Sequence, residues 1–191
     1  MNLQEMATRT AAPVLAVSRR VDTVVARVRD LVELEVVLTV ICASIPLILL
    51  AAAGWPPTEA ISGYHDEVSP ELFYMPLTTA ALLFVVNGVR AGRWYNVALG
   101  VSLAGLTFFN TTDHHGLHVF FTLAFFIGNP IVFVVFSPKD ELWFKWLLAI
   151  GMAAAIASWF VFGWIHVFWA ESFSLWLIAT HFLFEALGWI E

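Results

Sequence analysis

Asp113-His114-His115-Gly116-Leu117-His118 places three of the chain's six histidines and an aspartate within a few residues. On a helix, His114 and His118 are four apart and His115 and His118 three apart, so either pair shares a face. Two imidazoles at that spacing suit one metal ion, and the same spacing recurs in zinc sites. His65 or Asp66, together with His181 or His166, would complete a tetrahedral set. Zinc or another divalent metal is the expected ion; haem held by two histidines is the less favoured alternative. If the ion is catalytic, zinc-bound water would attack a lipid amide or ester, with Asp113 or Asp66 accepting the proton. The competing expectation is that Asp113, His114 and His115 are solvated cap residues and His118 is a hydrogen-bonded interface histidine.

A second constellation lies near the C-terminus. His181 and Glu185 are four apart and share a helical face inside an apolar run. Asn129, beside Pro130, sits in the middle of another such run. Proline lacks a backbone donor, so a carbonyl one turn earlier is left for Asn129, water or an ion. Ionisable groups in such segments are costly and face a bundle interior or a water-filled cavity. The functional expectation is a proton, cation or small-molecule path through Asn129, His181 and Glu185. The structural one is a neutral His–Glu pair locking two helices together.

The elements that must carry these residues are apolar helices. Sixty per cent of residues are hydrophobic, 13% are charged and the mean hydropathy is +0.82. A soluble domain carries about a quarter charged residues, so the expectation is an all-α integral membrane protein. Spans are expected at residues 36–53, 72–89, 94–110, 115–136 and 142–169, with a sixth from the turn at 170–172 to the C-terminus. Residues 1–35 read as a separate cytoplasmic segment. Val17, Val21, Val24, Val28 and Leu31 recur at helical spacing, with Arg19, Arg20, Asp22, Arg27, Arg29 and Asp30 between them. That is an amphipathic helix, suited to an anionic membrane surface. Residues 36–191 form the six-helix domain. The single cysteine, Cys42, permits no intrachain disulfide.

The nine basic residues all fall before the first span or at the 2–3 and 4–5 connections. Positive charge favours the cytoplasmic side, so both termini are expected there, in the cell membrane. The same reasoning assigns every histidine to the outer half, with His181 about 15 Å deep at the helical rise. Membrane lipid is the expected partner, other membrane subunits a further one, and nothing suggests nucleic acid. A non-catalytic accessory subunit, packing through its aromatic surface, is the third functional class.

Ala60-Ile61-Ser62-Gly63-Tyr64-His65, then Pro70-Glu71-Leu72-Phe73, resembles the pattern after the first span in the six-helix DRAM/Sfk-like membrane proteins. It is also similar to a group of uncharacterised prokaryotic six-helix proteins with an Ile-Ser-x-Tyr signature, whose last span is acidic and tryptophan-rich like 171–189 here. Neither resemblance implies a defined activity. The Ser/His/Asp/His set is similar to intramembrane zinc hydrolases related to alkaline ceramidases and adiponectin-type receptors. Those have seven spans and a His-x-x-x-His pair in the last, where this chain has His181-x-x-x-Glu185.

Overall fold

Long apolar runs broken by glycine, proline and histidine fold into consecutive antiparallel helices. The computed structural model describes residue 30 and residues 32–54, 57, 60–109, 113–136, 138–139 and 142–190. The N-terminal amphipathic segment expected over residues 17–31 lies almost wholly outside them. Six helices are described: α1 (Val32–Ala53), α2 (Pro70–Ala91), α3 (Trp94–Phe108), α4 (His115–Val135), α5 (Leu142–Phe160) and α6 (Val167–Ala186). A 3₁₀ turn, Ile61–Asp66, stands between α1 and α2. No strand occurs among the described residues.

Five of the helices are long and apolar enough to cross a membrane; α3, with 15 residues, is shorter. At the helical rise α3 covers only about 22 Å, against the roughly 30 Å of a bilayer's hydrocarbon core. Its ends are set by an αL glycine, Gly92 (φ 71°), before it and by extended Phe109 after it. The other departure is in α5. It stops at Phe160, nine residues before the expected end, because the chain turns through Gly163 (φ 63°) and restarts at the His166 cap. Residues 170–172, expected to form the turn, instead lie in the first half of α6.

The interior is aromatic and aliphatic. Phe84 packs edge-on against Phe125 of α4 and Phe182 of α6, with ring centroids 5.8 and 5.2 Å apart. Helices approach closely where side chains are small. Gly88 and Gly100 bring α2 and α3 into contact, and Gly105 lets the Phe121 ring of α4 lie against α3. α6 is the most enclosed helix, half of its apolar window being buried. It is tied to α1 by Thr39 Oγ1 donating to the Ala179 carbonyl (3.3 Å) and Trp176 Nε1 donating to that of Ala43 (3.1 Å). The outer surface is also apolar: Val40, Leu82, Val101, Phe120, Ile131 and Leu147 are all exposed.

The bundle has two polar ends. One gathers the start of α1, the α2–α3 turn at Arg93, the end of α4, the start of α5 and the end of α6. The other gathers the 3₁₀ turn, the α3–α4 turn and the start of α6. We call them the Arg93 end and the His118 end.

Candidate functional site

The Arg93 end holds the densest set of buried polar side chains among the described residues. Glu35, Asn87, Asn96, Lys145, His181 and Glu185 are all buried there, supplied by α1, α2, α3, α5 and α6. The α2–α3 turn positions the first contact. Gly92 takes the left-handed conformation that glycine allows at a helix C-terminus, and the Arg93 N–H bonds back to the Gly88 carbonyl (2.7 Å). That geometry sends Arg93 across the bundle, where Nη1 donates to Glu185 Oε1 at 2.6 Å. Burial is the largest single influence on Arg93 and works against its charge, but Glu185, through its charge and its hydrogen bond, acts together with Tyr95 and Glu35 to hold the guanidinium above its ordinary range.

His181 Nε2 stands 3.7 Å from the same Glu185 oxygen, beyond hydrogen-bond distance but within ion-pair range if the ring is protonated. Phe133 of α4 lies against that imidazole, with centroids 4.4 Å apart. A chain of amides extends the site: Asn96 Nδ2 donates to Asn87 Oδ1 (2.8 Å), and Asn87 Nδ2 reaches Glu35 Oε1 (3.4 Å). The second Glu185 oxygen, Oε2, is buried without a hydrogen-bond partner among the described residues. A cavity of about 10 Å³ opens here, lined by Arg93, Tyr95, Asn96, Lys145, His181 and Glu185 among others. That is room for about one water. Glu185 is thus the common neighbour of Arg93 and His181.

Asn129 is buried in α4, one turn from Phe133, and its Nδ2 donates to the Phe125 carbonyl (2.8 Å). Its Oδ1 has no partner among the described residues. The carbonyl it engages is its own helical neighbour four residues back, not the Phe126 carbonyl opposite Pro130. Between Glu171 and Glu185 on α6 lie Leu175, Ile178 and Phe182, each 1% exposed or less. They form an apolar block between the two ends.

The histidines do not converge. His181 lies at the Arg93 end, beside Glu185 and Phe133, rather than in the half that holds His118. The reason is that α6 starts at Val167, so His181 is already in its last two turns. At the His118 end, His118 is buried with Nδ1 2.7 Å from the Phe109 carbonyl oxygen, which closes the α3–α4 turn. His114 and His115 are exposed at the start of α4, His114 resting on the Phe109 ring (5.6 Å). Asp113 is exposed in the turn. His65 has Nδ1 3.1 Å from the Ser62 carbonyl oxygen and Nε2 3.1 Å from Asp66 Oδ1. His166 caps α6 by accepting the Phe168 N–H through Nδ1 (3.3 Å). Among the described residues no three His, Cys, Asp or Glu side chains come together as a metal ion would need.

Glu35, Asn87 and Asn96 escaped the sequence reading because each is a lone polar residue on a different helix. The available signal was the pair Asn87 and Asn96 flanking the Arg90–Arg93 turn at nearly equal depth.

No curated protein and no solved structure matches the chain. The model of a family of unknown function, DUF7103, matches residues 44–186, and the chain belongs to that family.

Proposed function

We propose that this is an integral protein of the cell membrane, with both termini cytoplasmic, that handles protons or small cations through the cluster at the Arg93 end. Exposed apolar side chains around the whole bundle support membrane insertion, since a water-soluble surface rarely presents so much contiguous apolar area. Arg90, Arg93, Lys139 and Lys145 all lie at one end of the bundle, while Asp66, Glu67 and Asp113 lie at the other. Under the positive-inside rule the Arg93 end is cytoplasmic.

The observation that carries the transport reading is Glu185. It is a buried side chain that shares one oxygen between Arg93 and His181, leaves the other buried with no hydrogen-bond partner among the described residues, and lines a water-sized space. Buried ionisable groups of this kind in membrane segments serve proton and ion paths. Asn129, one turn farther along α4, is the next polar station. Leu175, Ile178 and Phe182 would close the route in this conformation, so passage requires α6 to shift against its neighbours.

The test is flux in liposomes carrying a trapped pH-sensitive dye. Wild-type protein should dissipate an imposed pH gradient, and E185Q, which keeps the side chain's shape, should slow it by about tenfold or more. Wild-type vesicles no leakier than empty ones, or E185Q equal to wild type, would overturn the reading.

A further inference from the structure

Glu171 is the second buried acid of α6, at the opposite end from Glu185. Its Oε2 accepts the Ile61 N–H at 2.6 Å, and that is its one hydrogen bond among the described residues. A carboxylate offers about four acceptor positions, so most of its capacity is unused. Burying such a group without charge compensation is costly. The side chain borders a cavity of about 40 Å³ between α4, α5 and α6, whose lining contains no lysine, arginine or histidine. Room for about three waters is available.

Two hydroxyls share that cavity with Glu171. Thr122 Oγ1 is buried with no hydrogen-bond partner among the described residues. Ser174 Oγ donates to the Ala170 carbonyl (2.8 Å), which leaves its lone pairs to accept. Phe126 and Trp159 supply aromatic rings on the same lining. Leu123 and Ile127, also on the lining, are exposed, so the space is reached from the side of the bundle.

We propose that this cavity binds a small ammonium-type cation, ammonium itself or a short primary amine. The site offers acceptors and aromatic faces but no donor of positive charge. A tetrahedral N–H⁺ group would donate to the Glu171 carboxylate, Thr122 and Ser174, and would lie against the rings by cation–π attraction. One carboxylate and two hydroxyls are too few oxygens for calcium, which takes six to eight, and do not form the octahedral shell magnesium demands. The apolar remainder of the lining, Ile156 among it, suits the short alkyl stem of an amine.

Binding can be read at equilibrium on the full chain in detergent, with no flux measurement, so this site and the transport proposal stand or fall separately. The melting temperature is followed against ammonium and methylammonium chloride, with tetramethylammonium, which has no N–H donor, holding ionic strength constant. A saturable rise of about 3 °C is expected with ammonium and methylammonium. E171Q should abolish it. T122V, which keeps the carboxylate and the Ile61 contact, should raise the half-saturating concentration about tenfold. No rise above the tetramethylammonium control, or an undiminished response in E171Q, would overturn the proposal. If E171Q does not fold, an unchanged half-saturation in T122V has the same force. A potassium response equal to that of ammonium would overturn the assignment to an N–H donor.

Discussion

Arg93 and Glu185 lie 92 residues apart in the chain and 2.6 Å apart in space. Their contact joins the α2–α3 turn to the last turns of α6, and so closes the bundle at the end where five helices contribute polar side chains. Glu185 is almost wholly buried and Arg93 about a quarter exposed. Removing one partner therefore leaves the two charges in unequal positions.

R93A strands a buried carboxylate and should destabilise the protein by about 3 kcal/mol, the lower end for a broken buried pair because Arg93 is partly solvated. The double variant R93A/E185Q should recover part of that loss. Thermal unfolding in detergent of both singles and the double gives the coupling directly. Additive losses would mean that the pair contributes nothing as a pair.

The α2–α3 contact depends on missing side chains. A Cβ at Gly88 would stand 2.7 Å from the Val97 nitrogen, and one at Gly100 would stand 2.7 Å from the Ala81 carbonyl oxygen. Both are backbone atoms with little freedom to yield. G88A and G100A should each cost about 1–3 kcal/mol by overpacking. G116A, whose Cβ meets nothing within 4 Å, is the matched control and should be near neutral. Equal melting temperatures for all three would contradict the helix spacing described.

The Ile61 N–H bond to Glu171 can be removed without touching the acid. Ala60 has the extended backbone (φ −61°, ψ 161°) that a following proline requires, and position 61 opens the 3₁₀ turn. I61P deletes the donor, while I61A controls for the lost side chain. I61P should melt lower than I61A, by the equivalent of about 1.5–3 kcal/mol for a hydrogen bond to a charged group. Coincident unfolding curves would show that the contact carries no weight.

His118 and His181 occupy opposite ends of the bundle, one beside the Phe109 carbonyl and the other beside Glu185. The stability losses of H118A and H181A should add in the double variant to within about 0.5 kcal/mol. A shared ligand would make the second loss much smaller than the first. Calorimetric unfolding of the four proteins distinguishes the two.

Hydropathy located the six long helices among the described residues, because each apolar run is long and bounded by glycine, proline or charge. It could not find the α5–α6 turn. Val161, Phe162, Ile165, Val167 and Phe168 keep the local hydropathy high straight through it, and the turn rests on Gly163, whose positive φ has no hydropathic signature. That shift moved Glu171 from a solvated turn into a buried helix and carried His181 toward the far end. The histidine spacing at 114–118 was legible, but spacing reports which residues share a face, not what that face meets. His118 meets a main-chain carbonyl. The Arg93 cluster assembles from single residues on separate helices, and only packing brings those together.

Glu171 and Glu185 sit fourteen residues apart on one helix, close to whole turns, so they project from nearly the same side of a rod with Ile178 at its middle. A small rocking of that rod about its midpoint swings its two acids in opposite senses. As one loosens from its neighbours, the other is pressed further in. Were the rod to rock in this way, a disturbance of the Ile61 bond would reach the guanidinium, some 20 Å away, with inverted sign.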